Sequence, residues 1–133
     1  MATKGNQKLV TATSIAAAKD SFVVMVKTEW NNHITDALEK GCKNILDVYG
    51  VKTQTLVVPG AIELPFAIRA HSSSGKSADA YIALGCVIKG GTPHFEYVCQ
   101  SVTQGLTSLN IQLDVPVIFG VLTISPKDES FLA

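Results

Sequence analysis

The hydrophobic positions of this chain fall into short apolar runs separated by longer amphipathic stretches. Phe22 to Thr28 (FVVMVKT) is an unbroken apolar run of strand length. From His33 to Val51, Ile34, Leu38, Cys42, Ile45 and Leu46 recur at the spacing of one helix face. Asn31 or Asn32 suits the N-cap of that helix and Gly50 its end. Thr53 to Pro59 (TQTLVVP) predicts a second strand. Gly60 to His71 (GAIELPFAIRAH) starts a second helix with Pro65 in its first turn, and Ser72 to Ser77 is a loop. Asp79 to Ile88 is apolar enough for a third strand buried on both faces. Lys89 to Gln112 gives a glycine loop followed by a long helix, and Val115 to Thr123 a fourth strand.

Strands alternating with helices of this length require a parallel sheet with helices on both sides. The expected fold is an α/β class, three-layer α/β/α sandwich on a four-stranded parallel sheet, in flavodoxin-like order with right-handed crossovers. Residues 21–133 form this single domain. Residues 1–20 are an arm without clear period, loose alone or ordered by a neighbour, in which TSIAAAK could make a helical turn or two. After the fourth strand only ISPKDESFLA remains. It is too short, and too broken by Pro126, to cover the last strand's outer face. Either the chain is shortened there or a neighbouring subunit supplies the cover.

Composition narrows the function. Eleven Lys plus Arg balance eleven Asp plus Glu. A neutral chain has no basic surplus for nucleic acid or an anionic membrane surface, and self-repulsion does not oppose association. Three scattered cysteines, Cys42, Cys86 and Cys99, contain no C-x-x-C pair and fit reduced thiols in a cytoplasmic protein. No run reaches membrane-spanning length.

In an open parallel sheet, ligands bind beyond the carboxyl ends of the strands. That selects Thr28–Asn32, Pro59–Glu63, Lys89–His94, and Phe119 towards Thr123. Gly90-Gly91 would let the backbone come close to a ligand. Thr92 suits an N-cap and Pro93 the first helical position, which together make an anion site suited to phosphate. An ordinary tight turn explains the same residues equally well, and no G-K-[ST] marks a Walker loop. His94 falls in the first helical turn, where the positive helix end favours a neutral imidazole that can take up a proton. His33 and His71 lack such a setting and read as solvated helix residues. Trp30, the only tryptophan, could stack on a planar heterocycle or serve as a core or edge aromatic. Glu63 could accept hydrogen bonds from ligand hydroxyls, but complementing the helix dipole is the plainer reading. Cys86 and Cys99 read as core thiols, with no metal-ligand spacing around them.

These segments resemble a known family. VPGAIELP is similar to the lumazine synthase motif VPG-[AS]-x-E-[IL]-P, and GCVIKGGTPHFEYV to G-x-V-[IV]-[RK]-G-x-T-x-H-[FY]-[DE]-Y-[VI]. PVIFGVLT resembles the family's last-strand signature, and Trp30-Asn31 its aromatic-Asn strand end. The resemblance runs from about Phe22 to Thr123. It implies condensation of 5-amino-6-(D-ribitylamino)uracil with 3,4-dihydroxy-2-butanone 4-phosphate to 6,7-dimethyl-8-ribityllumazine, without metal or organic cofactor. By position, it implies that Trp30 stacks on the pyrimidine with Asn31 beside it, and that Ala61, Ile62 and Glu63 hold the ribityl chain. The Val87 and Ile88 backbone would meet the pyrimidine edge with Lys89 nearby. Gly91 and Thr92 would take the phosphate, and His94 would shuttle protons. Phe119 would reach the site of the adjacent subunit in a homopentamer, and in some members twelve pentamers build a 60-subunit shell.

The resemblance also implies helices beyond the last strand, with an arginine that helps bind phosphate. Here Lys127 is the only cation after Thr123. A chain ending in this way is expected to turn over slowly and to be less stable than longer members. Two other readings compete: a flavin- or lumazine-binding or shell-forming relative without turnover, and a flavodoxin-like phosphate-binding module. The latter leaves Trp30, Glu63 and His94 unexplained.

Overall fold

The computed structural model describes residues 18–76 and 78–129. Most of the expected N-terminal arm, and the last residues of the chain, lie outside that range. The elements are β1 (Phe22–Thr28), α1 (Asn32–Val48), β2 (Lys52–Val58), a 3-10 turn (Ala61–Glu63), α2 (Leu64–Ser72), β3 (Ala80–Ile88), α3 (His94–Gln112), β4 (Val117–Ile124) and α4 (Pro126–Glu129). All pairings are parallel, in the order β2-β1-β3-β4. This is the expected flavodoxin-like α/β sheet. The strand order reverses between β1 and β3, with β2 laid on one side of β1 and β3 on the other, and such switch points open ligand crevices in doubly wound sheets.

The apolar run of β1 places it at the centre, with Val24, Met25 and Val26 fully buried. Successive side chains alternate between faces. Val24 and Val26 join Tyr81, Ala83, Val117 and Val121 under Leu64, Ile68, Val102, Leu106 and Leu109 of α2 and α3. Full burial of each such aliphatic side chain contributes about 1.5–3 kcal/mol. Gly105 lets the two helices touch, because a Cβ there would come within 2.6 Å of Pro65 Cγ.

On the other face α1 covers β1 and its neighbours. Lys27 interrupts the apolar run on this side and donates to Asp36 at 2.8 Å and Glu39 at 2.7 Å. The hydrogen bond from Lys27, and a second one with Thr55, hold the Glu39 carboxyl below its usual range. The bonds to Asp36 and Glu39 raise the Lys27 ammonium in turn.

Several expectations are corrected. Ile45, placed on the core face of the first helix, is 61% exposed. The tie from this helix to the sheet is made instead by Glu39, hydrogen-bonded to Lys27 of β1 and to Thr55 of β2. His71 is buried rather than solvated: its Nδ1 and the Tyr81 hydroxyl share a hydrogen bond of 2.7 Å, with the rings edge to face. Tyr81, at the start of β3, is drawn into the core and leaves room beside it for the imidazole. Pro126 begins a helix of a single turn, as proline is tolerated at the first helical position, and among the described residues no longer helix follows β4. The sheet is also covered unevenly. Ile118, on the α1 face of the edge strand β4, remains half exposed. Among the described residues no helix is long and apolar enough to cross a membrane.

Candidate functional site

Three of the four predicted segments meet at the carboxyl edge around the switch point. Strand lengths create the recess. β1 pairs with β3 only as far as Lys27↔Leu84, whereas β3 continues alongside β4 to Ile88↔Ile124. The last turn of β3 therefore projects past β1 and forms one wall.

The opposite wall is the β1–α1 turn. Its backbone is fastened to β2 through Glu29 N–H to Val58 O (2.7 Å) and Trp30 N–H to Pro59 O (3.0 Å). Two buried threonines hold it from beneath. Thr35 Oγ1 donates to Thr28 O at 2.9 Å, and Thr28 Oγ1 donates to Trp30 O at 3.2 Å. Asn31 occupies the N-cap position but does not cap with its side chain. It adopts φ 60°, ψ 41°, a left-handed conformation that asparagine tolerates better than most residues. Its Nδ2 donates instead to Cys86 O at 3.2 Å. The side chain expected to cap a helix thus ties the turn to the projecting wall.

Trp30 is 69% exposed, so it is not a core aromatic. Its indole lies over Gly60, where a Cβ would sit 3.0 Å from Cε3 and 3.3 Å from Glu63 Oε2. Glu63 Oε2 accepts the Gly60 N–H at 3.0 Å. That bond is local to the 3-10 turn, and it sets the carboxylate beside the indole. Ala61 is buried and Ile62 half exposed, both within the 3-10 turn.

The third segment is the β3–α3 loop. Val87 and Ile88 are partly buried at the end of β3, and Lys89 N–H extends the ladder to Ile124 O at 2.8 Å. Lys89, Gly90, Gly91, Thr92 and His94 are exposed. Neither glycine has a positive φ, and a Cβ on either would meet nothing within 4 Å. No contact within the chain requires glycine there. The helix begins one residue later than expected: Pro93 takes the N-cap position and His94 is the first helical residue. Thr92 Oγ1 still accepts the His94 N–H, at a long 3.4 Å. Cap assignments shift by one residue in this way when the chain enters the helix through proline.

Phe119 does not join this cluster. It is the third residue of β4, opposite Ala83, well below the carboxyl edge and 47% exposed on the edge strand. Burial pushes the Cys42 and Cys99 thiols up, Cys99 with help from Glu96, so neither is suited to act as a thiolate. Among the described residues, no three His, Cys, Asp or Glu side chains are grouped as ligands for a metal ion. A cavity of about 540 Å³ opens at the opposite, amino-terminal edge between Arg69, Lys76, Tyr81, Gln112 and Asp114. It lies away from the switch point and contains none of the predicted residues. Sequence reasoning missed Thr35 and the roles of Thr28 and Gly60, which it had placed in candidate segments; a threonine closing an apolar strand was the one available signal.

The chain is similar to proteins of one family. The family model described as 6,7-dimethyl-8-ribityllumazine synthase matches residues 21–132. A protein of that name from Parabacteroides distasonis is 44% identical over 120 residues, covering 88% of this chain and 74% of the relative. One from Porphyromonas gingivalis is 46% identical over 113 residues, 83% of this chain and 70% of the relative. Another, from Streptomyces coelicolor, is 42% identical over 118 residues, 88% and 72% respectively.

Proposed function

The chain belongs to the 6,7-dimethyl-8-ribityllumazine synthase family, and from that premise we propose that it is a transferase of riboflavin biosynthesis. It condenses 5-amino-6-(D-ribitylamino)uracil with 3,4-dihydroxy-2-butanone 4-phosphate, releasing 6,7-dimethyl-8-ribityllumazine, phosphate and water. The observation that carries this reading is the exposed Trp30 indole over Gly60, with the Glu63 carboxylate beside it, next to a glycine loop that leads into His94. A planar ring, a polyol and a phosphate need these three kinds of surface.

In this reading the pyrimidine stacks on Trp30, and its edge meets the Val87 and Ile88 backbone where β3 projects. Ala61, Ile62 and Glu63 line the ribityl chain, the carboxylate accepting from its hydroxyls. Gly91 and Thr92 receive the phosphate at the positive end of α3, with Lys89 supplying charge nearby. Holding both reactants in one recess replaces a bimolecular encounter with a positioned one. The 5-amino group then attacks the ketone carbonyl, water leaves as the imine forms, and phosphate departs after loss of a C–H proton. The ribitylamino nitrogen next attacks the carbonyl formed after phosphate loss, and loss of a second water closes the lumazine ring. His94, beside the phosphate loop, moves those protons. No organic or metal cofactor enters this scheme.

Self-association completes the site. Phe119 cannot reach the recess of its own subunit, and β4 is an edge strand with Ile118 and Phe119 half exposed. We therefore assign Phe119 to the recess of an adjacent subunit in a homopentamer, a state that light scattering would test. The three cysteines form no disulfide with one another, which fits a cytoplasmic setting.

The decisive experiment mixes the purified chain with both substrates and follows fluorescence of the lumazine against a protein-free control and His94→Ala. A rate far above the control, reduced about 10²- to 10⁴-fold in the variant, supports the proposal. A wild-type rate equal to the control would sink it.

A further inference from the structure

Asn31 stands beside Trp30, and its amide is already committed. Nδ2 donates to the carbonyl of Cys86, 55 residues away, at 3.2 Å. That carbonyl belongs to the part of β3 that projects past β1, beyond the last paired residues Lys27↔Leu84. The asparagine thus extends the β1–β3 seam by one side-chain bond after the backbone ladder has ended. Its backbone is in the left-handed region at φ 60°, and its carbonyl accepts the Ile34 and Thr35 N–H groups at 2.9 and 3.1 Å. The residue that turns the chain from strand to helix is therefore pinned on both sides.

Trp30 precedes it directly. The indole rests close on Gly60, where a Cβ would lie 3.0 Å from Cε3, and its backbone is bonded to Pro59 O and to Thr28 Oγ1. These contacts fix the β2 side of the indole and its main chain. The Asn31–Cys86 bond is the one described link from this turn to β3 made by a side chain of the turn itself.

We propose that Asn31 is a positioning residue: through its bond to Cys86 O it sets the distance between the Trp30 stacking surface and the β3 edge, so that a flat ring fits between them. This rests on reading Trp30 as the stacking surface, and it places the asparagine's contribution in the shape of the slot rather than in contact with the ring. Ring-sized ligands gain most from such preorganisation, because a face that must be ordered on binding costs part of the stacking energy. The hydroxyl bonds of Thr35 and Thr28 sit beneath the same turn and support it along the strand axis.

Trp30 is the chain's single tryptophan, so its emission reports on this slot without a label and without substrate. Two variants separate backbone from amide. Asn31→Gly accepts the left-handed φ but has no side chain, and Asn31→Asp keeps the shape but loses the donor. Thermal melts verify that both fold. In the unliganded proteins, both variants should show lower Trp30 anisotropy and about a twofold larger acrylamide quenching constant. KM for the pyrimidine substrate should rise about fivefold, the loss of one net hydrogen bond, with kcat within about twofold of wild type. Unchanged anisotropy and quenching in both variants would overturn the proposal, whatever the kinetics. A raised KM with an unmoved indole would identify Asn31 as a direct substrate contact instead. If the wild type shows no condensation, the proposed function fails, and the fluorescence still decides whether the bridge positions Trp30.

Discussion

The two halves of the recess are built in opposite ways. The β1–α1 turn and the start of the 3-10 turn are held by a set of bonds, some long-range and some local: Trp30 N–H to Pro59, Asn31 Nδ2 to Cys86, Gly60 N–H to Glu63, and two buried threonine hydroxyls. The β3–α3 loop is exposed from Lys89 to His94, and Thr92 reaches the His94 N–H only at 3.4 Å. The difference matches what each half is proposed to hold. An aromatic platform binds through shape and loses affinity if it must be ordered first. A phosphate organises free N–H groups around its own charge, so its loop can be open before binding.

Substitutions in the two halves should therefore behave differently. The largest effect is expected from Trp30→Ala. Stacking of a base on an aromatic side chain is worth about 1–3 kcal/mol, so KM for the pyrimidine should rise about 5- to 100-fold in steady-state assays. KM for the butanone phosphate should change far less. Equal losses for both substrates would break the division. Gly60→Ala comes next. Its new methyl would lie 3.0 Å from the indole, displacing Trp30 and raising the pyrimidine KM about tenfold, with a shift in tryptophan emission that Trp30→Ala cannot show. In the open half, Gly91→Ala meets no atom within 4 Å. Stability should stay within about 0.5 kcal/mol while KM for the phosphate substrate rises several-fold, because the methyl obstructs an incoming anion. A loss of melting temperature without a change in that KM would remove Gly91 from the site.

The smallest effect lies outside both halves and serves as their control. The Glu39 carboxyl titrates below its ordinary value of 4.5 through its bonds to Lys27 and Thr55. Its folded-state value is lower than its unfolded one, so its stabilising contribution is complete above that ordinary range and is lost as pH falls through the depressed value. Glu39→Gln should flatten the acid limb of a stability–pH curve by about 1 kcal/mol or less and leave both KM values unchanged. An altered pyrimidine KM would show that α1 couples to the turn at its N-terminus.

Much of this arrangement was legible in the chain, for identifiable reasons. β1 opens with five consecutive apolar residues, and its observed bounds, Phe22–Thr28, equal those of the predicted strand. The glycine loop and proline-led helix placed His94 in a first turn, where it is. Periodicity overstated the buried face of the first helix: Ile45 has the helical phase of Ile34 and Leu38 yet is exposed, because phase alone does not say what neighbouring elements cover. His71 has the composition of a surface residue and is buried only because Tyr81, ten residues on, comes back beside it. Phe119 was placed at a strand's carboxyl end by the rule for open parallel sheets, and the β3–β4 register sets it third in β4, opposite Ala83 and below that end.

By itself, then, the sequence determined what depends on near neighbours: apolar period, caps, turn residues, and hence a parallel sheet with its chemistry at strand ends. The tertiary structure decided what depends on the relative lengths and offsets of strands far apart in the chain. β3 outruns β1, and that offset exposes the Cys86 carbonyl to Asn31 and opens the recess beside Trp30. No local pattern encodes such an offset, because register is settled by the packing of the whole sheet against α1, α2 and α3 at once.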